Sequence, residues 1–139
     1  MKLSVKGRYA LLSLIYIASK DGRTVALYQI SHDLNISKLY LEQVFAVLKK
    51  EKLVNSLKGA AGGYVLSRDK SEITAYDVLK AIENNLFEEV DETSKNPNYE
   101  KAIKLLDTSL NDSITYSLKN ITLAKLLEES KSKGPMFYI

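Results

Sequence analysis

Residues 25–68 read VALYQISHDLNISKLYLEQVFAVLKKEKLVNSLKGAAGGYVLSR. Two apolar-periodic segments and a glycine-tipped pair of β-prone segments follow one another without interruption. That is the order of a winged helix-turn-helix. Over 36–50, Leu41, Val44, Phe45 and Leu48 fall on one helical face at spacings of three and four. Ser37, Lys38, Glu42 and Gln43 then point elsewhere. A helix with an apolar back and a polar front suits a DNA major groove, which admits one helix and displays a readable pattern of donors and acceptors. Ahead of it, 27–34 turns Leu27, Ile30 and Leu34 inward, Asn35 offers a turn residue, and Ser37 is a natural N-cap.

Behind it, residues 53–57 and 64–67 are expected to pair as a hairpin with Gly59, Gly62 and Gly63 at its tip. Small residues let a backbone approach a phosphate or enter a minor groove, and Lys58 adds charge there. The bland reading of the glycines is a turn; directly after a candidate recognition helix, the hairpin reads as a wing. It is not a nucleotide-binding loop, since a strand follows it and no Lys-Ser/Thr closes it.

Outward from this stretch, residues 4–20 form a first helix, expected to bury Leu11, Leu12, Ile15 and Ala18 and to stop at Asp21-Gly22. Lys2, Lys6 and Arg8 crowd its beginning, where cations oppose the helix dipole. They are either solvated charges or partners for an outside anion such as DNA phosphate. Residues 24–26 add a short strand. Downstream, ITAYDVLKAIE opens with Thr74 and Asp77 in a capping-box relation and turns Val78, Leu79 and Ile82 inward as a support helix. The acidic, polar connection NNLFEEVDETSKNP covers 84–97 and ends in a proline that opens the next helix. From there Tyr99, Ile103, Leu106, Leu110 and Ile114 recur at steps of three and four. A stripe that long needs a cover, and a second copy of the same helix supplies one. ITLAKLLEES forms a last short helix, and the chain ends in Met136, Phe137, Tyr138 and Ile139 beyond Gly134-Pro135.

The expected architecture is therefore mainly α with a small β-hairpin wing: a winged helix-turn-helix plus a long C-terminal dimerisation helix. Residues 1–83 are the DNA-binding domain, 84–97 the linker, 98–130 the dimerisation helices and 131–139 a tail. With 139 residues and 45% hydrophobic content the chain supports an ordinary core. Its net charge of +3 is unevenly placed: residues 1–70 carry 12 Lys and Arg against 5 Asp and Glu, while 71–139 carry 8 against 12. The basic half is the one suited to phosphate. No apolar run reaches the roughly 20 residues of a membrane helix, and the start lacks a signal-peptide core, so a cytoplasmic protein is expected. The absence of cysteine excludes disulfides and thiolate-held clusters, and His32, the single histidine, has no second ligand at a metal-binding spacing. No paired carboxylates or nucleophile with a base suggest an enzyme. A winged-helix module used for protein interaction without specific DNA binding is the competing reading.

MKLSVKGRYALLSL, ISKLYLEQVFAVLKKEKLV, KGAAGGYVLSRD and EITAYDVLKAIE together resemble the Rrf (BadM-like) family of bacterial winged-helix transcription regulators, collinearly from residue 1 to about 130. KGRYA, YLEQ and GGYVL at these separations carry the resemblance. It implies a homodimer joined by the long C-terminal helix, each winged helix reading half of a near-palindromic operator in double-stranded DNA. It further implies that Ser37, Leu39 and Glu42 face bases, with Glu42 accepting from a cytosine amino group. Lys58 stands where relatives direct an arginine at the minor groove, and Leu39 where some carry a small polar residue. Tyr40 suits packing or a phosphate contact. Many members hold an iron–sulfur cluster through three cysteines in the segment equivalent to 88–98; here that segment is EEVDETSKNPN, so no such cofactor is expected. A cysteine-free subgroup of the family includes a repressor of cysteine-metabolism genes that is controlled by complex formation with cysteine synthase. Its closing residues resemble MFYI, which implies a partner-binding tail at Met136–Ile139. The alternative is that the tail folds back on its own dimer.

Overall fold

A computed structural model describes residues 3–83 and 91–132. The order of elements is α1 (Val5–Ala18), α2 (Leu27–Leu34), α3 (Lys38–Lys50), β1 (Val54–Leu57), β2 (Gly63–Leu66), α4 (Ala75–Ile82), α5 (Pro97–Lys119) and α6 (Leu123–Ser130). The expected winged helix-turn-helix with a long C-terminal helix is thus present. Lys2 and the tail residues Met136, Phe137, Tyr138 and Ile139 lie outside the described residues.

Helix α1 starts because the Ser4 hydroxyl accepts from the Gly7 N–H at 2.9 Å. It stops at a turn in which Asp21 and Gly22 both take positive φ, 52° and 82°. Its buried face differs from the expected one. Gly7, Ala10, Leu11, Leu14, Ile17 and Ala18 are buried, whereas Leu12 is 44% exposed and Ile15 only half-buried. In YALLSLIYIA nearly every position is apolar, so the period does not select a face and packing against α4, α6 and β2 does.

Between α2 and α3 the tight turn forms as expected. Asn35 sits in the left-handed region at φ 53°, and the Ser31 hydroxyl donates to the Ile36 carbonyl at 2.6 Å. Ser37 then caps α3, its hydroxyl accepting from the Tyr40 N–H at 3.3 Å. Leu41, Val44, Phe45 and Leu48 are fully buried. Each such side chain removed from water is worth about 1.5–3 kcal/mol, so this face anchors the helix. Lys52, at φ 60°, turns the chain into β1, which pairs antiparallel with β2 in the register Val54–Leu66 to Leu57–Gly63. The short strand expected at 24–26 is a single bridge: Val25 donates to the Tyr64 carbonyl at 2.9 Å and accepts from the Tyr64 N–H at 2.7 Å.

Helix α4 carries the capping box, with Asp77 N–H donating to Thr74 Oγ1 at 3.1 Å and Thr74 N–H to Asp77 Oδ2 at 2.9 Å. Pro97 opens α5 behind Asn96, whose side chain accepts from the Asn98 and Tyr99 N–H groups. The 23 residues of α5 include none that is buried. Helix α6, expected among the dimerisation helices, packs against the winged-helix core. Leu123 and Leu127 are buried, α6 lies against α1, and Thr74 bridges Thr122. Its amphipathic pattern does not say which surface it covers; the backbone bonds from Ala75 N–H to the Ile121 carbonyl and from Leu123 N–H to the Ile73 carbonyl do.

Candidate nucleic-acid interface

The face of α3 opposite its buried row is a ridge of Leu39, Glu42, Gln43 and Ala46, all exposed, with Ser37 and Lys38 exposed at its N-terminal end. The ridge follows from the sequence spacing: with 41, 44, 45 and 48 inward, 39, 42, 43 and 46 project outward. Tyr40 leaves this face. Its ring meets that of Tyr9 edge-on, with centroids 5.4 Å apart and planes at 88°, an arrangement worth about 0.5–1.5 kcal/mol beyond its buried area. The contact fastens the N-terminal turn of α3 to α1, one residue after the exposed Arg8 and three after the half-buried Lys6. Of the expected basic residues of α1, Arg8 is exposed and Lys6 half-buried, on the helix that this contact joins to α3.

On the other side of α3 stands the wing. Phe45 in α3 packs against Tyr64 at its root, with centroids 4.8 Å apart. Arg68, just past β2, pairs with Asp77 of α4 at 3.0 Å, and both are partly exposed, so the pair orients more than it stabilises. Lys58 is exposed at the tip. The three glycines there have different local reasons. Gly59 takes φ 105° with open space around it. At Gly62 a Cβ would stand 2.5 Å from the Leu57 carbonyl oxygen, and at Gly63, with φ 152°, 2.4 Å from that of Val25. Gly63 is thus glycine because the chain at Val25 crosses directly over it. Among the three, only Gly59 is exposed.

Two exposed residues escaped the sequence reading. Ala46 continues the ridge at a spacing of seven from Leu39 and is exposed; the outward period carried the signal, but alanine has no polar group to draw attention. Tyr28 is 66% exposed on α2, and an aromatic on the outward face of a helix whose one buried residue is Ile30 carried no sequence signal.

The expected dimerisation residues are also placed. Tyr99, Ile103, Leu106 and Leu110 run along α5 at 71%, 55%, 56% and 53% exposure, and Ile114 is half-buried. His32 is exposed and lies 3.1 Å from the neighbouring Asp33 carboxylate. No helix among the described residues is long and apolar enough to cross a membrane.

The family described as "Rrf2: Iron-dependent Transcriptional regulator" matches residues 3–129. The chain is similar to the HTH-type transcriptional regulator CymR of Bacillus subtilis, 36% identical over 143 residues that cover 100% of both proteins. It is equally similar to the HTH-type transcriptional regulator IscR of Escherichia coli, 36% identical over 138 residues covering 94% of this chain and 83% of that one. Among solved structures, that of CymR, described as the global cysteine regulator of B. subtilis, superposes with a TM-score of 0.79 at 33% identity, covering 93% of this chain and 98% of the other. IscR of T. potens superposes with a TM-score of 0.76 at 32% identity, covering 99% and 97%. The iron in the family's description finds no fitting donor set here. The chain has no cysteine and one histidine, and no three His, Asp or Glu converge among the described residues. Thiolate ligation of a cluster is therefore ruled out by composition.

Proposed function

Because this chain belongs to the Rrf2 family of transcriptional regulators, we propose that it is a sequence-specific DNA-binding repressor acting as a homodimer on a near-palindromic operator. The observation that supports it best is the ridge of α3, held outward by a fully buried opposite face. Ser37, Lys38, Leu39, Glu42 and Gln43 enter the major groove. Lys6 and Arg8 meet phosphates on one side, and Lys58 with Gly59 at the wing reaches the backbone or minor groove on the other. Gly62 and Gly63 shape the wing, and Tyr40 supports the reading helix through Tyr9.

Operator selection from a random duplex library, followed by binding of selected and scrambled duplexes at several salt concentrations, tests the proposal. The expected result is a near-palindromic preference and an affinity falling steeply with salt. Glu42→Ala should relax the preference at one base pair per half-site, whereas Lys58→Ala should weaken binding to all sequences and reduce the salt slope by about 0.9 per lost phosphate contact. Equal binding of selected and scrambled duplexes, with neither substitution having an effect, would leave the fold as a protein-interaction module.

The finer proposal concerns control. The likeness to CymR, described as a global cysteine regulator, supports regulation of cysteine or sulfur metabolism genes. The resemblance of Met136–Ile139 to the closing residues of the cysteine-metabolism repressor supports docking to cysteine synthase. A pull-down comparing the full chain with one lacking residues 136–139 checks this; equal recovery of cysteine synthase by both would refute it.

A further inference from the structure

Leu39 is 68% exposed and stands at the N-terminal end of the α3 ridge, on the side of the helix directly away from the buried Leu48. Its neighbours have other tasks. The Ser37 hydroxyl accepts the Tyr40 N–H as the cap of α3, and Tyr40 is turned onto Tyr9. The side chains left to reach outward from the first turn are those of Lys38 and Leu39. A leucine there makes no hydrogen bond, so it contributes to base reading only through an apolar group on the DNA.

The major groove holds one such group among the four bases, the C5-methyl of thymine. Residues in the first turn of a recognition helix are the ones that approach base edges. Resting on the DNA-binding reading above, we infer that Leu39 is a specificity-determining residue that packs on a thymine methyl, so each half-site carries a thymine opposite the first turn of α3. Ala46, exposed on the same ridge two turns along, is too short to reach that base. The polar readers Glu42 and Gln43 lie between them, and the ridge so ordered reads a methyl first and hydrogen-bonding groups after it.

The experiment takes the selected operator and replaces each thymine in turn by deoxyuracil, which removes the C5-methyl and leaves every hydrogen-bonding group in place. Binding is measured for the full chain and for its Leu39→Ser and Leu39→Ala variants, whose thermal melts should match the parent because the side chain is exposed. One thymine per half-site should respond: its replacement weakens the parent about four-fold, the weight of one buried methyl, and leaves both variants unaffected. If no deoxyuracil position alters binding by the parent while sequence preference persists, the Leu39 assignment is overturned and the DNA-binding reading stands. Equal losses in parent and variants would also overturn it, assigning the methyl to another residue. Absence of any sequence preference in the parent would overturn both readings together.

Discussion

The hydroxyl of Ser4 donates a hydrogen bond to the carboxylate of Glu83, joining the N-cap of α1 to the residue that ends α4, 79 positions away. The same oxygen accepts the Gly7 N–H. A Cβ at position 7 would lie 2.5 Å from Glu83 Oε1 and 3.1 Å from Leu79 Cδ2, so a small residue there is what lets the two helices approach. The turn of α1 that presents Lys6 and Arg8 is therefore braced against the last residue before the acidic connection to α5. Ser4→Ala removes both the cap and the brace. The expected loss is about 1 kcal/mol, or a drop of roughly 4 °C in Tm, with Ser4→Gly nearer the parent. Differential scanning calorimetry of the three chains at one pH checks the order.

The wing provides a second test, because its glycines differ in what surrounds them. Gly63→Ala forces a Cβ against the Val25 carbonyl at a backbone angle suited to glycine. It should cost about 1–3 kcal/mol in strain alone, and more where the paired bonds between Val25 and Tyr64 are disturbed. Gly59→Ala meets open space and pays only for its positive φ, about 1–2 kcal/mol. Urea unfolding should give a clearly lower midpoint for position 63 than for position 59, with similar m-values. A reversed order would mean that the chain at Val25 does not lie over Gly63.

A third test uses titration. The Tyr16 hydroxyl donates to the Asp33 carboxylate, and that bond, ahead of burial and the nearby negative charge, raises the phenol from its ordinary 10.0 to about 12. The same bond, with help from His32, holds the Asp33 carboxyl below its ordinary range. The signs agree. Stability from the raised phenol is present below pH 10 and is lost as pH rises through about 12. Stability from the depressed carboxyl is present above the ordinary carboxylate range and is lost as pH falls through its lowered value. In an ultraviolet titration the step that belongs to Tyr16 should therefore come late, near 12. In Asp33→Asn that late step should move down toward 10.

How much of this was open to sequence reading depends on where each residue's partner lies. Helix α3 was legible because its buried row and its cap, Ser37, lie within one helix length of each other. The Thr74–Asp77 box and the opening of α5 at Pro97 are equally local. The buried face of α1 was not legible, since Leu11, Leu12, Leu14, Ile15 and Ile17 are interchangeable in pattern and only contacts with distant elements choose among them. Gly63 looked like part of a turn tip because its partner, Val25, is far away in sequence. The Tyr9–Tyr40 contact and the burial of Leu123 were hidden for the same reason. The outward ridge of α3 follows from its inward row, although Ala46, with no hydrogen-bonding group, carries no signal of its own.

The apolar row of α5 gives the last prediction. Tyr99, Ile103, Leu106 and Leu110 each leave more than half of their surface exposed within one protomer, along a helix about 35 Å long. A row of that length in water is costly, and the homodimer proposed here covers it with the same row from a second copy. Leu106→Glu or Leu110→Glu puts a carboxylate where that contact would exclude water. It should weaken dimerisation by on the order of 30-fold or more, the cost of losing one central contact. Circular dichroism should be unchanged, because neither side chain is buried within the protomer. Thr108→Glu, also exposed but on the opposite side of α5, is the control and should leave the dimer intact. Sedimentation equilibrium of the three variants and the parent measures the effect. A parent that stays monomeric at high concentration, or variants that dimerise as the parent does, would show that the row serves another partner. Binding to a full palindrome should fall with dimerisation, while binding to a half-site should not, because Leu106 and Leu110 are no part of the core that holds the reading helix and wing.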